Sequence, residues 1–440
     1  MMRKKIKLTV ASLMFCTIFI GCGKFFRYIL IDDTTSYTRI MFHEMYEQEN
    51  IDILFVGSSH CYRSINPKIM DEEIGVNTFN AGTSSQLLDG SYMVIKEAAK
   101  YNEIDHIYLE LYYNVALSGY KDRTRLTQTY IISDYLKPSF DKIWYLLNAS
   151  SKDHYVNSFI LARRDWSKFF EEEYIRNLII KKNTDDYKNY EYTYVTWDQE
   201  WYDGKGFVAN KEIVENWNYF SRTGYSKINF SNAKEDWFNI LENIIAFCDK
   251  KGISLTLISA PMSNYVLAGS ENYDVYVNLV NDLIADTDVD YYDFNLCKEE
   301  YFPNTSNLFK DTDHLNCDGA EIFSHILADF INGKISENEL FYDSYEEKIR
   351  NLEPTVFGVS YQDSRDDNGE KIRNCKIVST ENDCLEYEII LMPENGEGKI
   401  LQEFSDNKFF TIVPDENGMI TIRYRLSNLS DEEKSVSISY

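Results

Sequence analysis

The chain has no C-x-x-C pair and no Cys/His spacing of a zinc site among its 8 cysteines, which sets structural zinc aside. It also lacks any basic stripe beyond its first few residues. With 45 Lys and Arg against 71 Asp and Glu, the formal net charge is -26. Binding a polyanion needs clustered cations to offset phosphate repulsion, so nucleic acid is excluded as the main partner. The acidic excess reads as a solvated surface. There is no internal repeat and no low-complexity linker. Cys375 and Cys384 could bridge across a hairpin, although two free buried thiols are the simpler state. Cysteine usage leaves the redox compartment open.

What is present first is length. A chain of 440 residues exceeds one small core and divides into two or three units. Aliphatic and aromatic residues occur throughout, which argues against disorder. Arg3, Lys4, Lys5 and Lys7 precede an uncharged apolar run from Leu8 to Gly23 that ends at Lys24, the pattern of a basic n-region and an apolar h-region. As a helix this run reaches only about 24 Å unless Phe25 and Phe26 extend it. An uncleaved signal anchor over residues 1–30 is the expectation. The alternatives are a cleaved signal and a lipoprotein signal ending at Phe19-Ile20-Gly21-Cys22, where Phe19 stands in place of the usual Leu. The positive-inside rule then keeps the N-terminus cytoplasmic and sends the rest outward, giving a cell-membrane protein with extracytoplasmic domains.

From Ile51 onward, short β-rich runs alternate with amphipathic stretches. Strands are expected at Ile53–Val56, Val76–Phe79, Ile107–Leu111, Ile253–Ile258 and Val289–Phe294. A helix is expected from Leu88 to Ala99, where apolar positions 88, 92, 95 and 99 share one face. This alternation predicts an α/β unit over residues 45–340 with a parallel sheet covered on both faces. Residues 118–250 interrupt it, too long for a structureless loop and mostly helical in period, and so form an inserted subdomain. Its Tyr190, Tyr192, Tyr194, Trp197, Trp201 and Tyr202 suit a sugar-stacking wall or lid, or more plainly the insertion's own core. Gly204 and Gly206 mark a turn. After Pro354 the pattern switches to alternation with turns at Asn395-Gly396 and Asn417-Gly418, predicting a small antiparallel β-sandwich over 354–440.

The strongest chemical feature is Phe55-Val56-Gly57-Ser58-Ser59-His60, a small-residue turn at the end of the first strand. In open α/β sheets ligands bind at the carboxyl ends of strands, so a hydroxyl there faces the crevice. The base is expected at Asp311-Thr312-Asp313-His314, just before a helix that docks through positions 323, 326, 327 and 330. Ser59 as nucleophile, His314 as base and Asp311 as orienter complete a triad. Ser58 as nucleophile and Asp313 as orienter are the weaker alternatives, the latter because adjacency to His314 aims its side chain poorly. Arg63 has two readings: a fork for a substrate carboxylate or phosphate, or pairing with an acidic neighbour such as Glu73. His60, Cys61 and Glu110 lie near the site without an assigned role.

Over roughly Asp52 to Ile331 these blocks resemble the SGNH or GDSL hydrolases: Gly57-Ser58-Ser59, then Phe79-Asn80-Ala81-Gly82-Thr83, then Asp311 to His314. The resemblance is nearest to membrane-anchored members that act on cell-surface polymers, including the D-alanine transfer protein of teichoic acid and the alginate and capsule O-acetylation proteins. It implies a three-layer flavodoxin-like fold with five parallel strands, and an oxyanion site formed by the Ser59 and Gly82 N–H groups with Asn114. Two departures stand out. Ser58 replaces the aspartate common before the serine, and the Gly-x-Asn-Asp block survives only as Asn114 in Tyr112-Tyr113-Asn114-Val115.

The expected activity is that of a serine esterase or O-acyltransferase acting on acyl groups of a cell-surface polysaccharide or teichoic-acid-like polymer. A multi-pass membrane acyl donor protein is a candidate partner, and no metal or organic cofactor is implied. The rival from another class is an anchored glycan-binding or assembly protein that keeps the fold without turnover.

Overall fold

The computed structural model describes residues 2–116, 126–161, 167–191, 195–196, 199–222, 225, 235–380, 385–394, 397–414, 417–427 and 432–440. Tyr192, Tyr194, Trp197, Cys384 and the Asn395-Gly396 turn lie outside them, as does the start of the expected insertion.

A mixed α/β unit is built on five strands: β1 (Ile51–Val56), β2 (Thr78–Asn80), β3 (Ile104–Glu110), β4 (Ser254–Ser259) and β5 (Asp290–Asp293). Their spatial order is β2-β1-β3-β4-β5, and every neighbouring pair is parallel. Because side chains alternate along a strand, Leu54 and Val56 enter one apolar cluster while Ile53 and Phe55 enter another on the opposite face. That is why these runs are almost continuously apolar, and both faces are covered by helices.

The helices used below are α1 (Met2–Leu30), α2 (Ser59–Ser64), α3 (Leu88–Tyr101), α4 (Phe140–Ala149), α5 (Glu235–Lys251) and α6 (Cys317–Ile331). Trp237, Ile240, Leu241 and Ile244 of α5 join Met93, Val94 and Ile95 of α3 on the first face. Phe323, Ile326 and Leu327 of α6 fill the second. The chain order reverses at β1, so the ends of β1 and β3 flank a crevice. Helix α1 carries a 24-residue apolar span, Ile6–Ile29, with none of it buried, about 36 Å long at the helical rise and therefore sufficient for an anchor or a signal sequence.

Two features go beyond the sequence expectation. The insertion, expected to be mostly helical, also carries a small antiparallel sheet of Val195–Thr196, Glu200–Gly204 and Phe207–Asn210. The sequence pattern does not reveal it because these strands are too short to impose a period. The C-terminal region does form two four-stranded sheets around one apolar core, but the first borrows Tyr219–Ser221 from the insertion, paired parallel to Gly358–Ser360.

The hairpin turn does more than reverse the chain. Lys205 O accepts from Asn80 N at 3.0 Å, joining the insertion to the end of β2. Gly204 and Gly206 both have positive φ, +98° and +85°; a Cβ at Gly204 has room, whereas one at Gly206 would run into the carbonyl oxygen of Asn80. Gly204→Ala should therefore cost about 1–2 kcal/mol for its left-handed backbone. Gly206→Ala should cost about 1–3 kcal/mol more for the clash. Thermal unfolding of the two variants should rank Gly206→Ala clearly lower, and equal midpoints would contradict this docking.

Candidate active site

Helix α2 starts directly after β1, and its N-terminal turn is held from below by Glu110 at the end of β3. Glu110 Oε2 accepts from Ser58 N at 2.7 Å and from Ser58 Oγ at 2.9 Å. This approach requires glycine at position 57, because a Cβ there would lie 2.5 Å from the same carboxylate oxygen. Ser58 also caps the helix, its Oγ accepting from His60 N at 3.2 Å. Ser58 is buried and its hydroxyl is engaged by Glu110, so the serine hydroxyl brought to His314 is that of Ser59. Ser59, the first helical residue, is only half-buried.

Ser59 Oγ lies 2.8 Å from His314 Nε2, across 255 positions of sequence. The histidine sits in a tight loop closed by Lys310 N donating to His314 O at 3.0 Å and Asn316 N donating to Leu308 O at 3.0 Å. Asn316 caps α6, accepting from Gly319 N at 3.0 Å. Asp311 shapes the loop and the ring together. Its Oδ1 accepts from Asp313 N at 3.1 Å and His314 N at 2.9 Å, and lies 3.0 Å from His314 Nδ1. Tyr219 OH donates to Asp311 O at 2.7 Å, so the strand shared with the C-terminal region also braces the loop.

Asp313 departs from expectation. Its Oδ1 comes within 3.2 Å of His314 Nδ1, because Tyr112 OH, just beyond β3, donates to its other oxygen at 3.0 Å and turns the side chain inward. Two carboxylates therefore face one imidazole nitrogen. Burial would lower the His314 pKa, but the bonds and charges of Asp311 and Asp313 outweigh it and hold the pKa at about 9. Burial opposes ionisation of both aspartates, yet the imidazole holds their carboxyls below the usual range. The three residues bring ligand atoms within 4.8 Å of one another, and a metal there would have to displace the proton from His314.

The oxyanion expectation is met unevenly. Ser59 N–H, at the first turn of α2, makes no hydrogen bond among the described residues. Gly82 requires correction. Its N–H is given to Asn80 Oδ1 at 3.0 Å, because Asn80, buried under α2, folds back on its own turn while its amide donates to Cys61 O at 2.9 Å and Ile65 O at 3.0 Å. Asn114 is exposed on the short helical turn Tyr113–Ala116, with its side chain bonded to Tyr112.

Arg63 is also corrected in its partner. It is buried and donates to Glu200 Oε2 of the insertion at 2.5 Å, whereas Glu73 faces His325 at 3.1 Å. Arg63 thus ties α2 to the insertion through Nη2, and its Nη1 is buried with no hydrogen-bond partner among the described residues. Of the expected aromatic wall, Tyr190 stacks on His43 at 3.6 Å and Tyr202 is buried against Glu44, both in packing roles.

Sequence reasoning left Glu110 and His60 without roles. Burial raises the Glu110 pKa to about 7 against the pull of the two Ser58 bonds. His60 lies under Ser59, its ring 4.6 Å from that of His314 at 17° and 4.0 Å from Tyr112. Burial first, and then the His314 charge, push its pKa down to about 3. It is a neutral, flat support for the imidazole. The signal available in sequence was adjacency to Ser59, which says nothing about the ring's direction.

His314 should titrate well above the ordinary imidazole value of 6.5. His314's raised folded-state pKa means that the stabilisation from its charge is lost as pH rises from about 6.5 through about 9, while the depressed carboxylates of Asp311 and Asp313 mean that the cluster also loses stabilisation at acid pH, below the usual carboxylate range. Histidine ring NMR should show this titration, and Asp311→Asn should move it downward by at least about one unit, worth about 1.4 kcal/mol. A midpoint near 6.5 in the wild-type protein would contradict the two-carboxylate geometry. No family model and no curated protein matches the chain, so the functional reading stands on the geometry of these side chains.

Proposed function

We propose that the chain is a serine esterase or O-acyltransferase of the SGNH type, anchored by α1 with its main domains outside the membrane, acting on acyl groups of a cell-surface glycan or polymer. The observation that carries this reading is the 2.8 Å contact between Ser59 Oγ and His314 Nε2, with Asp311 on the ring's other nitrogen. The strand order β2-β1-β3-β4-β5 is that of flavodoxin-like doubly wound sheets, and Ser59 follows the strand at which the order reverses.

In the proposed reaction Ser59 Oγ attacks the carbonyl carbon of an ester or thioester while its proton passes to His314 Nε2. The Ser59 N–H faces the developing oxyanion, and Asn114 is the candidate side-chain donor. Collapse expels the alcohol or thiol, which takes the proton from His314 and leaves Ser59 acylated. Water as second nucleophile completes an esterase cycle, and a polymer hydroxyl completes a transfer, with a multi-pass membrane protein as candidate acyl donor. Asp311 holds the tautomer and stabilises the imidazolium. The neutral fraction of His314 at pH 7 is on the order of one part in a hundred given its raised pKa, so activity should climb with pH toward about 9.

One observation favours a second reading, a glycan-binding or assembly protein without turnover. Gly82 N–H is already engaged, which thins the oxyanion site.

Mass analysis of surface polymer from cells carrying wild-type or Ser59→Ala protein separates these readings. Loss of the nucleophile should cut turnover by a factor on the order of 10⁴ or more. Acyl content should fall in the mutant for a transferase and rise for an esterase. Unchanged acylation would contradict the enzyme reading.

A further inference from the structure

Helix α4 is apolar on two sides. Tyr145, Leu146 and Ala149 are buried in the protein. Phe140, Ile143, Trp144 and Leu147 recur at spacings of three and four, so they form one stripe. All four are exposed, Phe140 to 91%. The helical turn that follows adds Val156 and Phe159, also exposed. A surface helix ordinarily has one apolar face, and a second, contiguous one marks contact with another apolar phase.

The stripe's position identifies that phase. The end of α1 is fastened to the insertion: Arg27 Nη2 donates to Asp134 O at 3.3 Å, Tyr28 OH to Lys182 O at 3.1 Å, and Lys182 Nζ to Tyr28 O at 2.7 Å. The apolar helix therefore leaves the domain at a fixed place, beside α4. A groove of about 870 Å³ is lined jointly by Lys24 and Arg27 of α1 and by Phe140, Lys142, Ile143 and Phe159. Lys24 and Arg27 end the uncharged run, the level at which a spanning helix meets the headgroups. Aromatic and aliphatic residues beside lysines at that level are the composition of a helix lying in the interface.

We propose that the Phe140–Leu147 stripe, with Val156 and Phe159, is a membrane-contact surface. It enters the headgroup and acyl boundary of the leaflet from which α1 emerges, and holds the domain in one orientation to the bilayer. The occupant is lipid, because the groove is continuous with the helix that would cross the membrane. The placement rests on α1 as an anchor and is independent of the chemistry at Ser59.

The test uses full-length protein in vesicles of phosphatidylcholine and phosphatidylglycerol, with and without brominated acyl chains. Bromolipid should quench part of the tryptophan emission, and Trp144→Phe should lose most of that quenched part. Flotation of the vesicles reports the anchor separately. Protein that fails to float contradicts the anchor and the placement with it. Protein that floats, with equal quenching in wild type and Trp144→Phe, overturns the placement alone. Disulfide-linked pairs of Ile143→Cys chains in the same vesicles would show a second copy covering the stripe and would also overturn it.

Discussion

A hydrogen bond between Ser59 and His314, 255 positions apart in the chain, is the constraint around which the α/β unit is arranged. Neither residue is placed by its own neighbours alone. Ser59 is fixed because β1 ends in a glycine that lets Glu110 of the adjacent strand reach the backbone of Ser58. His314 is fixed because Asp311 binds both the loop's amides and the ring, while Asn316 caps the helix that follows. The parallel pairing of β1 with β3 and the packing of α6 against α2 through Ser324 Oγ, which donates to Ser64 O at 3.3 Å, bring the two halves together. Around this contact stand rigid elements and the hydrogen bonds of Glu110, Asp311 and Asn316, and small shifts there would be costly to the proposed proton transfer.

Electrostatics follow from that packing. An imidazole with two carboxylates at one nitrogen favours its charged form, and the neutral His60 ring and Tyr112 hydroxyl shape the cluster without adding charge. The arrangement would stabilise the imidazolium that the proposed acyl transfer forms, and it leaves the proposed base largely protonated in the resting protein at neutral pH. The insertion and C-terminal region belong to the same construction. Tyr219 pairs with a C-terminal strand and donates to Asp311, Glu200 receives Arg63 from the helix that Ser59 opens, and the Gly206 turn seats against Asn80.

Much of this was legible in the sequence. The five strands could be placed within a few residues because the inner ones are buried on both faces and all lie between polar or glycine-rich turns. Ser59, His314 and Asp311 could be named because Ser59 opens a helix after a strand and the other two stand in the short loop that leads into a docked helix, where local pattern is informative. What stayed hidden depends on partners far apart in sequence. Glu110 stood without a role inside the strand expected at Ile107–Leu111, and only the fold shows its carboxylate under Ser58. Asp313 is turned inward by a tyrosine 201 positions away, against the expectation from adjacency. Glu200 lies 137 positions from Arg63, and the nearer acid, Glu73, was the wrong partner. The Gly82 amide looked free because only folding shows Asn80 bending back to take it. The hairpin at Glu200–Asn210 was hidden by strands too short to impose a period.

In the proposed reaction His314 activates the hydroxyl of Ser59 and not that of Ser58. Treatment of the intact protein with a fluorophosphonate, followed by peptide mass mapping, tests this directly. One adduct is expected, on Ser59, that disappears in His314→Ala while folded Ser58→Ala still reacts at Ser59. An adduct on Ser58, or labelling of Ser59 undiminished without His314, would contradict it.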